Sequence, residues 1–321
     1  MNTPQYLAIG RRTTVALQIR TCGLVLVALV ATHAFGQVLV NDTFSDTDRI
    51  GGTNGSSTTT SSPLISTPTS TNTQWVVNGT SQMTASASGM LWTMNSTSNR
   101  MAIGYFPAVS IGANEVTFAL TFTTGASGAT ANNLRVALLD SSPSGQRTTD
   151  GFGSTDATSV NDTGYAVFSS GSNVGGGNTT NLALNSYERV TTSSNDLLGT
   201  ASVWGSSLAS SSGATGYLAP NTSYTLSFKL TNNAGTLTFG TSITGGNFSG
   251  MNYSFADSTS PTTSFDAIAI RLGGGSNQFS NLNLTSFTVT AIPEPSTYAA
   301  LVGLCALGLV AYRRRQTRKA A

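Results

Sequence analysis

Histidine and cysteine are nearly absent from this chain of 321 residues, which contains one His and two Cys. His33 and Cys22 lie near the N-terminus and Cys305 lies near the C-terminus, so residues 37–291 contain neither residue type. Disulfide bonds, Cys/His zinc sites and Ser-His or Cys-His nucleophile pairs each require at least one of them. Their absence excludes these chemistries from most of the chain.

Charged residues are also scarce, at 9% of the sequence. The whole chain has a formal net charge of +2, but its basic residues are concentrated at the two ends. Residues 37–291 contain seven basic and twelve acidic residues, which gives this segment a net charge of −5. Nucleic-acid binding depends on basic patches that neutralise phosphates. A mildly acidic, sparsely charged segment therefore argues against a nucleic-acid partner.

Helical periodicity is missing from residues 37–291, and a period of two is present instead. Three runs alternate strictly, with apolar side chains at Val116, Phe118, Leu120 and Phe122, at Tyr224, Leu226, Phe228 and Leu230, and at Ile268, Ile270 and Leu272. This alternation places the apolar residues of each run on one face of a strand. It argues against the disordered chain that a composition rich in Ser, Thr, Asn and Gly would otherwise indicate. The segment is predicted to be a folded all-β domain.

The spacing of the strand-like runs predicts the architecture. Predicted strands cover residues 38–44, 74–77, 90–94, 101–106, 115–123, 134–140, 165–168, about 181–190, 224–230, 236–239, 265–272 and 281–290. The continuous apolar run 134–140 predicts a strand buried on both faces, residues 231–235 a hairpin connection, and the phase change at Thr285-Ser286 a bulge. About a dozen strands with long loops predict a two-sheet β-sandwich of jelly-roll type, with a β-solenoid as the alternative.

The N-terminus is typical of a secretory signal peptide. Arg11, Arg12 and Arg20 form a basic region, an apolar stretch follows over residues 22–31, and small residues occupy the positions before Gln37. This order of features predicts a signal peptide over residues 1–36, a signal helix removed from the mature protein by cleavage after Gly36. Export by the Sec machinery is the expected route.

The C-terminus, residues 292–321, has three consecutive parts. Pro293-Glu294-Pro295-Ser296 is followed by an apolar run over residues 298–312 and then by a basic cluster that contains Arg313, Arg314 and Arg315 and ends at Lys319. The run of 15 residues is shorter than the roughly 20 needed to cross a bilayer, although flanking Tyr and Arg side chains reach the headgroups. We expect a transmembrane helix over 298–312 and a cytoplasmic basic tail over 313–319.

This tail resembles the PEP-CTERM sorting signal. The resemblance implies recognition by a membrane exosortase in a Gram-negative bacterium that makes extracellular polysaccharide. The protein would then be anchored transiently in the inner membrane and finally placed on the cell surface or outside the cell. The alternative is an ordinary C-terminal anchor with an incidental proline-rich hinge.

A second resemblance covers the β domain, which spans residues 37–291. Residues 40–46, 74–76 and 261–268 are similar to the opening and closing segments of exported bacterial sandwich domains that carry the same tail. Those domains are similar to concanavalin-like lectins and glucanases. The resemblance implies a fold and carries little information about activity.

Three acidic residues at the start of the domain are the strongest candidates for a metal site. Asp42, Asp46 and Asp48 place carboxylates near a turn, and Ca²⁺ prefers six to eight oxygen ligands. The alternative is that these side chains cap turns by accepting hydrogen bonds from nearby N–H groups. The same two interpretations apply to Asp150, Asp156 and Asp162. No cofactor other than Ca²⁺ is indicated.

Aromatic residues are the candidates for stacking on sugar rings. Trp75 and Trp92 lie in strand-like runs and are expected in the core, whereas Trp204 precedes Gly205-Ser206-Ser207 and is the candidate for an exposed platform. Tyr187 and Tyr253 are further candidates.

Catalysis has little support in the sequence. Glycoside hydrolysis requires two carboxylates about 5–10 Å apart. The two glutamates of residues 37–291 are each isolated: Glu115 opens a strand and Glu188 stands beside Arg189, which is typical of a surface ion pair. We therefore predict a non-enzymatic surface or matrix protein associated with exopolysaccharide. The alternatives are a carbohydrate-binding module with a defined glycan site and a glycoside hydrolase.

Overall fold

The computed structural model describes residues 36–45, 49, 68–78, 81–94, 101–126, 134–152, 157–170, 183–189, 197–198, 204–211, 218–246, 248–272, 279, 281–292 and 295–320. The strands in this part of the chain are β1 (Gln37–Asp42), β2 (Gln74–Val77), β3 (Gln82–Ser86), β4 (Gly89–Thr93), β5 (Met101–Ser110), β6 (Glu115–Thr124), β7 (Leu134–Asp140), β8 (Thr163–Ser170), β9 (Ala183–Glu188), β10 (Ala209–Ser210), β11 (Ser223–Asn233), β12 (Thr236–Gly245), β13 (Phe248–Asp257), β14 (Ser264–Leu272) and β15 (Asn281–Ile292). A 3₁₀ turn covers Ala157–Ser159 and helix α1 covers Pro295–Ala320.

The strands form two sheets. One sheet has eight strands, in the order β13-β12-β11-β6-β15-β4-β3, with β1 also paired to β15. The other has seven strands, in the order β10-β9-β8-β7-β14-β5-β2. Consecutive strands repeatedly change sheet, as β5, β6 and β7 do, which joins the two sheets into one sandwich. The prediction of a jelly-roll-type β-sandwich is confirmed, and the β-solenoid alternative is wrong.

The main core lies between the sheets and is formed by the alternating apolar residues. Phe118 of β6 contacts Phe265 of β14 edge to face at 6.0 Å between ring centroids. Tyr165 of β8 packs against Phe239 of β12 at 5.2 Å. These aromatic pairs join the eight-stranded sheet to the seven-stranded sheet, and burial of a large apolar side chain contributes about 1.5–3 kcal/mol.

A second apolar cluster covers the outer face of the seven-stranded sheet. In β7, Val136 and Leu138 face the main core, whereas Ala137 and Leu139 belong to the second cluster together with Trp204. Strand β7 is therefore buried on both faces, as its continuous apolar run predicts. Loop residues, among them Phe152, Leu197 and Leu198, contribute to this cover.

The predicted hairpin is present, and the predicted phase change in the last strand is seen in its burial. Strands β11 and β12 are joined by Ala234-Gly235, which have φ angles of 51° and 86°. Two consecutive residues with positive φ match the twist of a two-residue hairpin, and glycine adopts this conformation without strain. In β15, Thr285 and Ser286 are both partly exposed and interrupt the alternation, as expected for a bulge.

Strands β3, β10 and β13 were not apparent in the sequence. Strand β10 has two residues, too few for periodicity, and β3 combines a buried Met83 with small polar residues. In β13 the inward positions include Tyr253 and Phe255, but Gly250 and Asn252 obscure the pattern. Strand β3 pairs with β4, β10 with β9 and β13 with β12. These strands form because the pairing supplies hydrogen-bond partners for their backbone N–H and C=O groups.

Candidate functional site

The tail emerges directly from the last strand of the sandwich. Strand β15 ends at Ile292, and α1 begins at Pro295, a residue suited to the first position of a helix. Pro293 and Glu294 lie outside the described residues, as do the side chains of Pro295 and Ser296. The sandwich, Val38–Ala291, is a compact unit separate from the tail.

Helix α1 confirms that the apolar run is helical. Leu304 and Leu307 are 66% and 67% exposed, and Arg313, Arg314 and Arg315 are also exposed. Large apolar side chains on a surface are typical of contacts with lipid or protein. Within the described residues, no helix has the combination of length and apolarity needed to cross a membrane. The transmembrane character predicted for 298–312 is therefore not confirmed.

Asp42, the described member of the predicted calcium site, is a buried acceptor of hydrogen bonds. Its Oδ1 accepts from the amide of Phe44 at 2.7 Å, and its Oδ2 accepts from the amide and the hydroxyl of Thr73 at 2.7 and 2.6 Å. Thr73 Oγ1 in turn accepts from Trp75 Nε1 at 2.7 Å. This arrangement is the capping alternative for Asp42. Asp46 and Asp48 lie outside the described residues, so calcium binding by the trio stays a prediction.

Asp150 and Asp162, the two described members of the second candidate group, each have other partners. Asp150 accepts hydrogen bonds from Arg49, with which it forms an ion pair, and from the amide of Val77. Asp162 is buried near Arg147 and Arg189, and Asp156 lies outside the described residues. In the described part of the chain, no three His, Cys, Asp or Glu side chains are grouped so that they could hold a metal ion.

Trp204 corrects the prediction of an exposed stacking platform. Its side chain is completely buried, its Nε1 donates to the carbonyl of Leu197 at 3.0 Å, and its ring packs edge to face on Phe168. The sequence around Trp204 has no strand-like alternation that would predict its burial, because loops that cover the seven-stranded sheet bury this side chain. Trp75 and Trp92 are in the core, as expected.

The two glutamates lie in different sheets and have different surroundings. Glu115 opens β6 and pairs with Lys229 at 3.5 Å, a partly exposed ion pair. Glu188 ends β9, and burial together with the charge of Asp257 raises its pKa to about 6. Its predicted partner, Arg189, is instead buried and donates to the carbonyl of Ser159 at 2.9 Å. The expected surface ion pair between Glu188 and Arg189 is therefore wrong, because adjacent strand residues point to opposite faces.

Asp257 is near enough to Glu188 for its charge to raise the pKa of Glu188, but its carboxylate already accepts hydrogen bonds from other groups. Its Oδ2 accepts from the Tyr165 hydroxyl at 2.5 Å and its Oδ1 from the amide of Thr259 at 2.9 Å. Burial and this hydrogen bond raise the pKa of Tyr165 well above its usual range. Nearby, Ser186 Oγ and Tyr253 Oη are 2.8 Å apart. These contacts join β8 and β9 to β13 and connect the two sheets.

Asp162 is a titratable group with a direct consequence for stability. Burial raises its pKa from 3.8 to about 6, against the opposing effects of a hydrogen bond from Ser144 and the charges of Arg189 and Arg147. Because the folded state holds this proton more tightly, Asp162 favours folding below about pH 4, and the contribution is lost as pH rises to about 6. The difference between these two pKa values corresponds to about 3 kcal/mol in the free energy of unfolding.

We therefore expect the stability of the wild-type protein relative to Asp162→Asn to fall between pH 4 and pH 7. Urea unfolding followed by tryptophan fluorescence at several pH values measures both free energies of unfolding. The asparagine variant controls for the other acids, because it lacks only this titration. A relative stability that rose with pH would mean that the two arginines hold the pKa of Asp162 below its usual value.

A trough lies on the outer face of the eight-stranded sheet and was missed by the sequence analysis. It has a volume of about 450 Å³, and its outward-facing lining is formed by Lys229, Gly240, Ser242, Thr244, Asn252 and Ser254. Gly240 of β12 pairs with Lys229 of β11 on one side and with Ser254 of β13 on the other. Because Gly240 has no side chain, a gap remains between the side chains of Lys229 and Ser254. The available signal was Gly240 itself, a glycine at an outward position within a strand.

The comparisons with known proteins identify the tail. Residues 291–315 match the PEP-CTERM protein-sorting motif, so the resemblance of the tail to this signal is confirmed. A motif of this kind implies that the chain is exported. No curated protein matches the sequence.

Several solved structures are similar to the sandwich. Lectin II from Ulex europaeus is 10% identical to this chain, with a TM-score of 0.42. The matched region covers 74% of this chain and 98% of the lectin. The carbohydrate recognition domain of Emp46p, in a metal-free form, is 15% identical over 67% of this chain and 87% of its own, with a TM-score of 0.41. The exoplasmic/lumenal domain of VIP36, bound to Ca²⁺ and Man3GlcNAc, is 12% identical, with a TM-score of 0.40. The matched region covers 70% of this chain and 87% of the VIP36 domain.

Proposed function

We propose that this chain is an exported, non-enzymatic surface or matrix protein that an exosortase processes at its C-terminal tail. The observation that carries this proposal is the PEP-CTERM motif at residues 291–315, which begins where the last strand of the sandwich ends. Secretion through Sec precedes folding, and the exposed apolar side chains of α1 contact the inner membrane until the tail is processed. The sandwich then remains at the cell surface, associated with exopolysaccharide.

Each part of the tail has a physical role in this proposal. Proline lacks an amide donor and disfavours a helical conformation in the residue before it, which is consistent with a helix that begins at Pro295 and favours recognition of the preceding segment as a peptide. The basic residues Arg313, Arg314 and Arg315 hold the end of the helix at an anionic cytoplasmic surface. Removal of the tail beyond Ile292 leaves β15, and therefore the sandwich, complete.

Processing is tested by the intact mass of the protein recovered from the cell surface or medium. For the wild type we expect a mass that ends between Pro293 and Ser296. For the Pro293→Ala/Pro295→Ala variant we expect the full tail to be retained in the membrane fraction. Pro261→Ala, which changes a proline of the sandwich, is the matched control and should be processed like the wild type. A full tail in the wild type would show that this segment is only an anchor and would contradict the proposal.

A carbohydrate-binding module is the second candidate function, and the trough favours it. The trough has a volume of about 450 Å³, within the range of about 300–1,000 Å³ typical of ligand sites. Its hydroxyl and amide groups match the hydrogen-bonding groups of sugars. A hydrolase has weaker support, because the Asp257 carboxylate that neighbours Glu188 is buried and bound by Tyr165 and Thr259.

A further inference from the structure

The two outer faces of the sandwich are chemically different. Loops and the second apolar cluster cover the seven-stranded sheet, as the complete burial of Trp204 illustrates. The outer face of the eight-stranded sheet is open, and its central strands present hydroxyl and amide side chains in register. Matched positions across β11, β12 and β13 form the row Ser227, Ser242 and Asn252. This face is the one on which an extended polar ligand has access to several strands.

The open face is close to electrically neutral. Strands β6, β11, β12 and β13 carry three charged residues. Lys229 and Glu115 are paired at 3.5 Å, and Asp257 is 8% exposed and accepts a hydrogen bond from Tyr165. The surrounding segment 37–291 has a net charge of −5, which repels polyanions. Charge complementarity therefore favours an uncharged ligand over an acidic one.

Every outward-facing side chain that lines the trough carries a hydrogen-bonding group, although carbon atoms make up much of the lining surface. The outward lining consists of three hydroxyls, one carboxamide, one ammonium and the bare backbone of Gly240. The aromatic residue of the lining, Tyr253, is directed toward the core, and its hydroxyl contacts Ser186. A ligand here must therefore be recognised by many hydroxyl groups rather than by ring stacking. Such contacts are individually weak, and a polymer that repeats them along the sheet gains affinity from multivalency.

We propose that this trough binds a neutral polysaccharide chain, which lies across β11, β12 and β13 with its sugar hydroxyls bonded to Ser242, Asn252 and Ser254. This inference rests on the proposed function of an exported surface protein and gives its sandwich a defined glycan site. Gly240 is the specificity-determining position, because a side chain there would project into the trough between Lys229 and Ser254. Lys229 shields one end and donates to sugar oxygens.

The test uses affinity electrophoresis of the full chain in gels that contain dextran or galactomannan, with alginate as the anionic polymer. We expect retardation by a neutral polymer and none by alginate. Gly240→Val should weaken binding at least about tenfold, because its side chain would occupy the space in which the sugar contacts the backbone of Gly240. An added Cβ lies 3.5 Å or more from its nearest neighbours, Lys229 and Ser254, so the strand tolerates it. Thr238→Val, on the same strand and face outside the trough, is the matched control and should change binding less than about twofold.

Near-UV circular dichroism establishes that both variants fold. If Gly240→Val were unfolded, Ser242→Ala/Asn252→Ala would replace it, with an expected loss of about tenfold. No retardation by either neutral polymer, preference for alginate, or equal binding by the trough variant and wild type would overturn the proposal. The mass of the processed protein is an independent readout. Normal processing without glycan binding would refute the trough alone, and glycan binding without processing would refute the sorting proposal alone.

Discussion

Asp150→Ala is expected to lower the free energy of unfolding by about 3–5 kcal/mol, a large effect for one substitution on a domain of this kind. Asp150 forms an ion pair with Arg49, and both side chains are 1% exposed. Asp150 Oδ1 also accepts from the amide of Val77 at 2.9 Å, and Arg49 Nη1 donates to the carbonyl of Met83 at 2.8 Å. Removing the carboxylate takes a buried ion-pair partner and two hydrogen-bond acceptor oxygens away from the interior.

Urea unfolding at pH 7 measures this loss, because Trp75, Trp92 and Trp204 are all fully buried and report on unfolding. Glu115→Ala is the matched control. It breaks an ion pair whose side chains are 57% and 34% exposed, and we expect a cost below about 1 kcal/mol. The double variant Arg49→Met/Asp150→Leu removes both charges and should recover most of the stability. Equal losses for Asp150→Ala and Glu115→Ala would show that burial does not determine the strength of the pair.

The local sequence pattern was sufficient to predict the strands in which buried and exposed residues alternate with the period of a strand, or in which a continuous apolar run is buried on both faces. Strands β2 and β7 have the bounds that their apolar residues predicted, and the β11–β12 hairpin turns at the last two residues of its predicted connection, 231–235. In each case a residue and its neighbours two positions away share one face, so a short stretch of sequence contains the information.

The polar contacts could not be predicted in this way. Arg49 and Asp150 are 101 positions apart in the chain, and their pairing depends on how the loop before β2 meets the loop after β7. Trp204 is buried by tertiary packing of loops that have no period. The trough depends on the register that places Gly240 between Lys229 and Ser254. Each of these features requires knowledge of which strands are neighbours, and no local pattern supplies it.

Asp42→Ala is expected to lower the free energy of unfolding by about 2–4 kcal/mol, because the substitution removes three hydrogen bonds from a side chain that is 2% exposed. The amides of Phe44 and Thr73 would lose their acceptor in the interior. Phe44 has a φ of 56°, so its left-handed conformation depends on the bond to Asp42. The contact between Phe44 and Trp75, 6.1 Å between ring centroids, would be weakened as well.

Two further variants separate this structural role from the predicted calcium site. Asp42→Asn keeps one carbonyl acceptor and should lose less stability than Asp42→Ala. Thr73→Val removes the hydroxyl that links Asp42 to Trp75 Nε1 and should cost about 1–2 kcal/mol. If the carboxylate acts only as an acceptor, EDTA leaves the urea midpoint of the wild type unchanged. If Asp42 binds Ca²⁺ with Asp46 and Asp48, added Ca²⁺ raises the wild-type midpoint in proportion to the logarithm of its concentration, and Asp42→Asn abolishes that response. The dependence of the midpoint on Ca²⁺ therefore decides between turn capping and calcium binding, two roles that the spacing of the three aspartates alone does not separate.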